Sequence, residues 1–212
     1  MISKLHYITQ DLEHFSHEAQ AQRACACGID WLQLRVKEQN YEGWFKIAKE
    51  VRAITSKYGV KLILNDSVQI ALEINADGVH LGKDDMPVRS ARKLLGKEKI
   101  IGGTANTLED IIQLQADGAD YIGLGPYRFT DTKQNLSPVL GMAGYRDIIT
   151  QLKNTATNIP IIAIGGIKAA DVRPLLKTGV YGVAVSSSIN KAPVPEVALK
   201  EFMELLKSGK KI

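Results

Sequence analysis

The sequence predicts a (β/α)8 barrel of the TIM type. Apolar, strand-like runs alternate with amphipathic helical segments eight times along its 212 residues. That alternation implies parallel strands joined by right-handed crossovers. The strand runs are almost continuously apolar, as strands buried on both faces must be. Three helix-to-strand connections share one pattern, at 76–79, 117–122 and 178–183: a glycine ends the helix and a strand begins within a few residues. The alternative is an open doubly wound sheet. No strand carries the G-x-G-x-x-G fingerprint of that class; Gly102-Gly103 and Gly165-Gly166 are partial echoes. The expected organisation is one barrel domain spanning residues 1–212.

Each element has its own signal. Residues 4–9 read as the first strand, and residues 17–26 as a helix stopped by Gly28. Residues 31–36 form the second strand. Residues 41–58 form a long amphipathic helix with Gly59 at the position past its end. The third strand, 61–64, ends on Asn65-Asp66 and precedes a short helix at 68–75. The fourth, 78–81, ends on Gly82-Lys83-Asp84-Asp85, and Pro87 then opens a helix running to Leu95. Residues 99–103 form strand five, followed by Thr104-Ala105-Asn106. Thr107 is placed to cap a helix to Ala116, with Asp110 in its first turn. Strand six is 121–124. Helix 145–153, strand 159–164, helix 169–177, strand 182–185 and helix 195–207 complete the chain.

Composition narrows the function classes. The formal charge of +4 is a mild excess without a basic tract, which argues against nucleic acid and suits small anionic substrates. No apolar run approaches the roughly 18 residues of a membrane span. The N-terminal segment lacks the apolar core of a signal peptide. Cys25 and Cys27, two apart in a helical pattern, point to different faces, so free thiols in a reducing cytoplasm are expected.

The unusual polar residues follow the C-terminal ends of the strands. Gln33, Arg35 and Lys37 alternate along strand two and share one face, while Leu32, Leu34 and Val36 take the other. Arg35 and Lys37 suit phosphate oxygens, and Gln33 suits a neutral heterocycle. Asp66 and Asp85 end neighbouring strands, and carboxylates gathered beside phosphate suggest Mg²⁺. Thr104 and Asn106 follow strand five. The stretch Gly125 to Lys133 carries Arg128, Thr130, Thr132 and Lys133, a mixture of hydroxyls and cations suited to phosphate or pyrophosphate. Gly165-Gly166 and Val185-Ser186 follow strands seven and eight, where barrels often hold a phosphate. His80 lies inside a strand and reads as a core histidine. Residues 127–142 are expected to act as a lid. The mouth thus has two anion-binding regions: Arg35, Lys37 and Lys133 with a metal at Asp66 and Asp85, and Thr130 and Thr132 with Gly165, Gly166, Val185 and Ser186.

These residues resemble the thiamine-phosphate synthase family. The resemblance rests on QLRVK at 33–37, ND at 65–66, GVHLGKDD at 78–85, GLGPYRFTDTK at 123–133, AIGGI at 163–167 and VSS at 185–187. It implies coupling of hydroxymethylpyrimidine pyrophosphate to a thiazole phosphate, commonly its carboxylated form, through a carbocation formed as pyrophosphate departs. It assigns Gln33, Arg35, Lys37 and Asn65 to the pyrimidine pyrophosphate, and Asp66 and Asp85 to Mg²⁺. It assigns Lys133 to pyrophosphate, and Thr130, Thr132, Gly165, Gly166, Val185 and Ser186 to the thiazole phosphate. Thr104 stands where the family has serine, and Asn106 where it has histidine. The expected partners are small-molecule substrates, with the chain acting alone or as a homo-oligomer. Three rivals are a thiazole tautomerase, which has a histidine where this chain has Pro126, a non-catalytic phosphate-ligand sensor, and a sugar-phosphate isomerase.

Overall fold

The computed structural model describes residues 1–130 and 137–207. Its elements, in order, are β1 (Leu5–Ile8), α1 (His17–Ala26), β2 (Trp31–Leu34), α2 (Tyr41–Tyr58), β3 (Lys61–Asn65), α3 (Val68–Glu73), β4 (Gly78–Leu81) and α4 (Val88–Leu95). They continue with β5 (Ile100–Ala105), α5 (Leu108–Ala116), β6 (Tyr121–Leu124), α6 (Gly141–Leu152), β7 (Ile161–Ala163), α7 (Ala169–Thr178), β8 (Gly182–Val185), α8 (Ser187–Asn190) and α9 (Pro195–Lys207). The strands pair in sequence order, all parallel, and β8 returns to β1 to close a barrel.

Local chemistry sets most boundaries. Gly59 caps α2 in the left-handed region at φ 67°. Thr107 and Asp110 form a reciprocal capping box on α5. The single-turn α8 was not expected. β2 stops at Leu34, not at residue 36, because the next backbone N–H groups bond to side chains of the segment after β1. α6 begins at Gly141, four residues before the expected start at 145, since Leu140 N–H is tied to Pro126 O at 2.9 Å. Both cysteines are free thiols, as expected.

Strand parity divides the core in two. Leu32, Leu34, Leu62 and Leu64 face outward and pack under the helices. Ile8, Trp31, Ile63, Tyr121, Ile162 and Ala184 fill the barrel itself. His6 stacks on Trp31 with ring centroids 4.3 Å apart, and His80 stacks on Tyr121 at 5.4 Å. Burial and the neighbouring His80 pull the His6 pKa down to about 3, so its imidazole stays uncharged in this apolar layer. The rings need room, and glycine provides it. A Cβ at Gly102 would lie 2.1 Å from Tyr121 Cζ, and one at Gly123 would lie 2.9 Å from His80 Cε1. Gly102 is therefore a packing residue of the barrel interior, not part of a nucleotide fingerprint.

Replacing Gly102 by alanine is expected to destabilise the fold by about 1–3 kcal/mol, the usual cost of overpacking a closed core. Urea unfolding of Gly102→Ala measures this directly, and an unchanged midpoint would contradict the packing described.

Candidate active site

Parallel closure sends every strand's C-terminal end to one rim. β3 and β4 pair with Asn65 opposite His80, so the residues that follow them emerge side by side. Asp66 sits in the left-handed region at φ 68°, an unusual place for a side chain larger than glycine. Its N–H donates to His80 O at 2.9 Å, which locks it to the end of β4. Asp85 is folded back towards the same place, where its carboxylate accepts the Gly82 N–H at 2.6 Å. The two carboxylates interact: burial and then hydrogen bonding with Asp66 raise the Asp85 pKa above its ordinary value, against the pull of the Gly82 N–H and Lys37. Lys37 Nζ pairs with Asp66 Oδ2. Burial lowers the Arg35 pKa, while the charges of Asp66 and Asp11 oppose that shift. One corner of the mouth thus holds Arg35, Lys37, Asp66 and Asp85 together.

The donor set fits a particular kind of ion. Among the described residues no group of three or more histidine, cysteine, aspartate or glutamate side chains is arranged to hold a metal. A pair of carboxylates alone suits a hard cation that keeps water or substrate oxygens in its remaining positions, the habit of Mg²⁺ rather than Zn²⁺.

Beneath this corner a hydrogen-bonded chain crosses the barrel. Thr104 Oγ1 lies 3.0 Å from His80 Nε2, and His80 Nδ1 lies 3.0 Å from the Tyr121 hydroxyl. Gln33 lies beside the Tyr121 hydroxyl and opposes the effect of burial on its pKa. Burial drives the Tyr121 pKa far above its ordinary value, so the hydroxyl remains a donor as well as an acceptor. His80 is a satisfied core histidine, as expected, and it also links Thr104 on β5 to Tyr121 on β6. Asn106 plays a different part from Thr104. Its side-chain amide donates to Gly125 O and Pro138 O, both at 2.9 Å, tying the two ends of the loop after β6 together.

That loop continues the sheet past its edge. Tyr127 N–H donates to Ile164 O at 2.8 Å and Arg128 N–H to Gly165 O at 3.0 Å. Gly165 and Gly166 have φ of 101° and 63°, and a Cβ on Gly165 would sit 2.6 Å from Pro126 Cβ. Arg128 forms a two-pronged bond with Asp171 on α7, at 2.6 and 2.8 Å, and also donates to Gly166 O. The arginine of this stretch is thus an anchor for the loop. Thr130 is half-buried beside it. Val185 is buried, and Ser186 Oγ lies 3.4 Å from Gln10 Oε1. Thr132 and Lys133, together with part of the expected lid at 127–142, lie outside the described residues.

Sequence reasoning missed the contribution of β1. Thr9 and Asp11 follow it as polar residues follow the other strands, and that regularity was the available signal. A hollow of about 730 Å³ opens at the opposite end of the barrel, lined by Lys4, Ile159, Pro160 and Tyr181 among others. It gathers no carboxylates or hydroxyl–cation cluster comparable to the mouth, so the chemistry points to the strand C-termini.

Comparison with known proteins identifies the family. Residues 5–189 match the family model described as thiamine monophosphate synthase. The chain is 44% identical over 206 residues to a thiamine-phosphate synthase of Flavobacterium johnsoniae, covering 97% of each. It is 45% identical over 201 residues to one of Bacteroides fragilis, covering 95% of this chain and 98% of the relative. Among solved structures it resembles a thiamine phosphate pyrophosphorylase from Pyrococcus furiosus, with a TM-score of 0.85 and 32% identity over 98% of this chain and 97% of that one.

Asn106→Ala would leave the Gly125 and Pro138 carbonyls without their donor. Its expected cost is about 1–3 kcal/mol, the range for unpairing buried polar groups. Amide exchange at Leu140, whose N–H bonds back to Pro126, should quicken with it. Unchanged stability and exchange would show that the tie does not hold the loop.

Proposed function

The chain belongs to the thiamine monophosphate synthase family, and we propose from that premise that it joins hydroxymethylpyrimidine pyrophosphate to a thiazole phosphate, or its carboxylated form, releasing pyrophosphate. Family membership makes it a transferase of thiamine-phosphate synthase type. The observation that carries the finer reading is the corner where Asp66 and Asp85 meet Arg35 and Lys37. Pyrophosphate carries several negative charges, and this corner offers two cationic side chains beside a pair of carboxylates suited to Mg²⁺. Mg²⁺ held by Asp66 and Asp85 would supply additional positive charge to the leaving group.

In this reading Arg35, Lys37 and Lys133 bind the pyrophosphate. Gln33, Asn65 and Thr104 orient the pyrimidine, with Gln33 and Thr104 steadied by the Tyr121–His80 chain beneath them. The bond between the pyrimidine methylene and the pyrophosphate oxygen breaks, and its electron pair leaves with pyrophosphate. The ring nitrogen of the thiazole then donates its lone pair to the methylene cation. Thr130, Thr132, Gly165, Gly166, Val185 and Ser186 hold the thiazole phosphate so that this nitrogen faces the methylene. The chain's work is to stabilise developing negative charge and to position two substrates. No protein nucleophile is required. No helix among the described residues is long and apolar enough to cross a membrane. Cytoplasmic action by a single barrel on small substrates completes the proposal.

Pyrophosphate release from the two substrates, followed with Mg²⁺ and with a chelator, tests it. Turnover should require the metal, and Lys37→Ala, Asp66→Ala and Lys133→Ala should each lower kcat/KM by about 10²–10³-fold, the usual size for one charge stabiliser. Equal rates with the chelator, or no turnover by folded wild-type protein, would contradict the proposal.

A further inference from the structure

We infer that Thr9, Asp11 and His17 form a clamp that positions Arg35 and Lys37 and thereby sets affinity for the pyrophosphate end of the substrate; the second half rests on the function proposed above. β2 ends at Leu34, yet both cations lie beyond it. A segment leaving a sheet has backbone N–H groups that the ladder no longer satisfies. Here the ladder is continued by side chains. Thr9 N–H donates to Gln33 O at 3.0 Å, the last backbone bond between the two strands. Arg35 N–H then donates to Thr9 Oγ1 at 3.1 Å, and Lys37 N–H to Asp11 Oδ2 at 3.2 Å. The acceptors recur every second residue, so the alternation of the strand persists. Arg35 and Lys37 stay on the side of Gln33 even though the regular strand has stopped.

His17 ties the two acceptors together from behind. It is the first residue of α1, set there by Ser16, whose hydroxyl accepts the Ala19 N–H at 3.2 Å. Its Nδ1 lies 2.9 Å from Thr9 Oγ1 and its Nε2 lies 3.2 Å from Asp11 Oδ1. With His17 neutral and its proton on Nε2, one direction satisfies the chain: Arg35 N–H to Thr9 oxygen, Thr9 O–H to His17 Nδ1, His17 Nε2–H to Asp11, and Lys37 N–H to the same carboxylate. Every donor and acceptor in the chain then has a partner. Thr9 is fully buried and His17 is 6% exposed, so water does not compete easily for the bond between them, whereas the bond from Lys37 N–H to Asp11 lies at the surface. The charge of Asp11 also reaches Arg35. The three residues touch no reacting atom in the proposed chemistry; they are positioning residues for two groups that do.

Calorimetric titration of wild type, Asp11→Ala, Asp11→Asn and Thr9→Val with Mg²⁺ and inorganic pyrophosphate separates this role from a merely structural one. Asp11→Ala and Thr9→Val should weaken pyrophosphate about tenfold, the scale of one lost hydrogen bond. Asp11→Asn, which keeps an acceptor oxygen, should recover part of the loss. KM should rise for the pyrimidine pyrophosphate and stay unchanged for the thiazole phosphate, with kcat altered less than KM. Amide exchange at Arg35 and Lys37 should quicken in the alanine and valine variants without ligand. Wild-type binding matched by Asp11→Ala would overturn the inference alone. Equal weakening for both substrates, in step with the melting temperature, would also overturn it. Wild-type protein that binds no pyrophosphate would overturn the function proposed above, and this inference with it.

Discussion

Burial and then the neighbouring Asp66 carboxylate raise the pKa of Asp85, and the rest of the mouth is arranged around that pair of like charges. Two like charges in a partly buried corner are unfavourable unless positive charge or directed donors oppose them. Three features do so here. Lys37 pairs with Asp66, the Gly82 N–H points at Asp85, and Arg35 lies within electrostatic reach of Asp66. The backbone accepts an unfavourable conformation to achieve this, since Asp66 has positive φ without being glycine. Strain of that kind persists where the surroundings hold it, and the bond from Asp66 N–H to His80 O is what holds it here. On the proposed function, the remaining negative charge of the pair would draw Mg²⁺ to this corner, and the metal with Arg35 and Lys37 would draw pyrophosphate.

The barrel interior supports the corner from below. Trp31, Tyr121, His6 and His80 stack in the centre, and glycines on β5 and β6 admit two of the rings. Because Tyr121 and His80 are fixed by packing, Thr104 is fixed by its bond to His80, and Gln33 lies against Tyr121. A chain of this sort is rigid only when each member is satisfied. The opposite side of the mouth uses backbone instead. The loop after β6 adds itself to the end of β7, and Arg128, Asp171 and Asn106 pin it in place.

Much of this was legible in the residues. Alternating strands and helices with glycine-stopped helices are enough for a barrel, because parallel closure has few competitors for that pattern. The row of Gln33, Arg35 and Lys37 was readable from parity, and the pairing of Asp66 with Asp85 from their places after adjacent strands. The end of β2 was not readable, because it depends on Thr9 and Asp11, which are distant in sequence from residues 35–37. Arg128 drew notice as a cation near phosphate-like hydroxyls, and its partner Asp171 lies 43 residues away. Asn106 was readable only as a polar residue following strand five; its bonds to the β6 loop are tertiary. α8 is one turn that begins within the three serines at 186–188, too short for periodicity to reveal.

The central claim is that the mouth has two phosphate regions and that only one adjoins the metal. Phosphorus relaxation with Mn²⁺ in place of Mg²⁺ tests it most directly. Bound pyrophosphate should be strongly broadened by Mn²⁺ and bound thiazole phosphate much less, with both effects lost in Asp66→Asn/Asp85→Asn. Equal broadening of the two ligands, or broadening that survives in the double variant, would contradict the arrangement described.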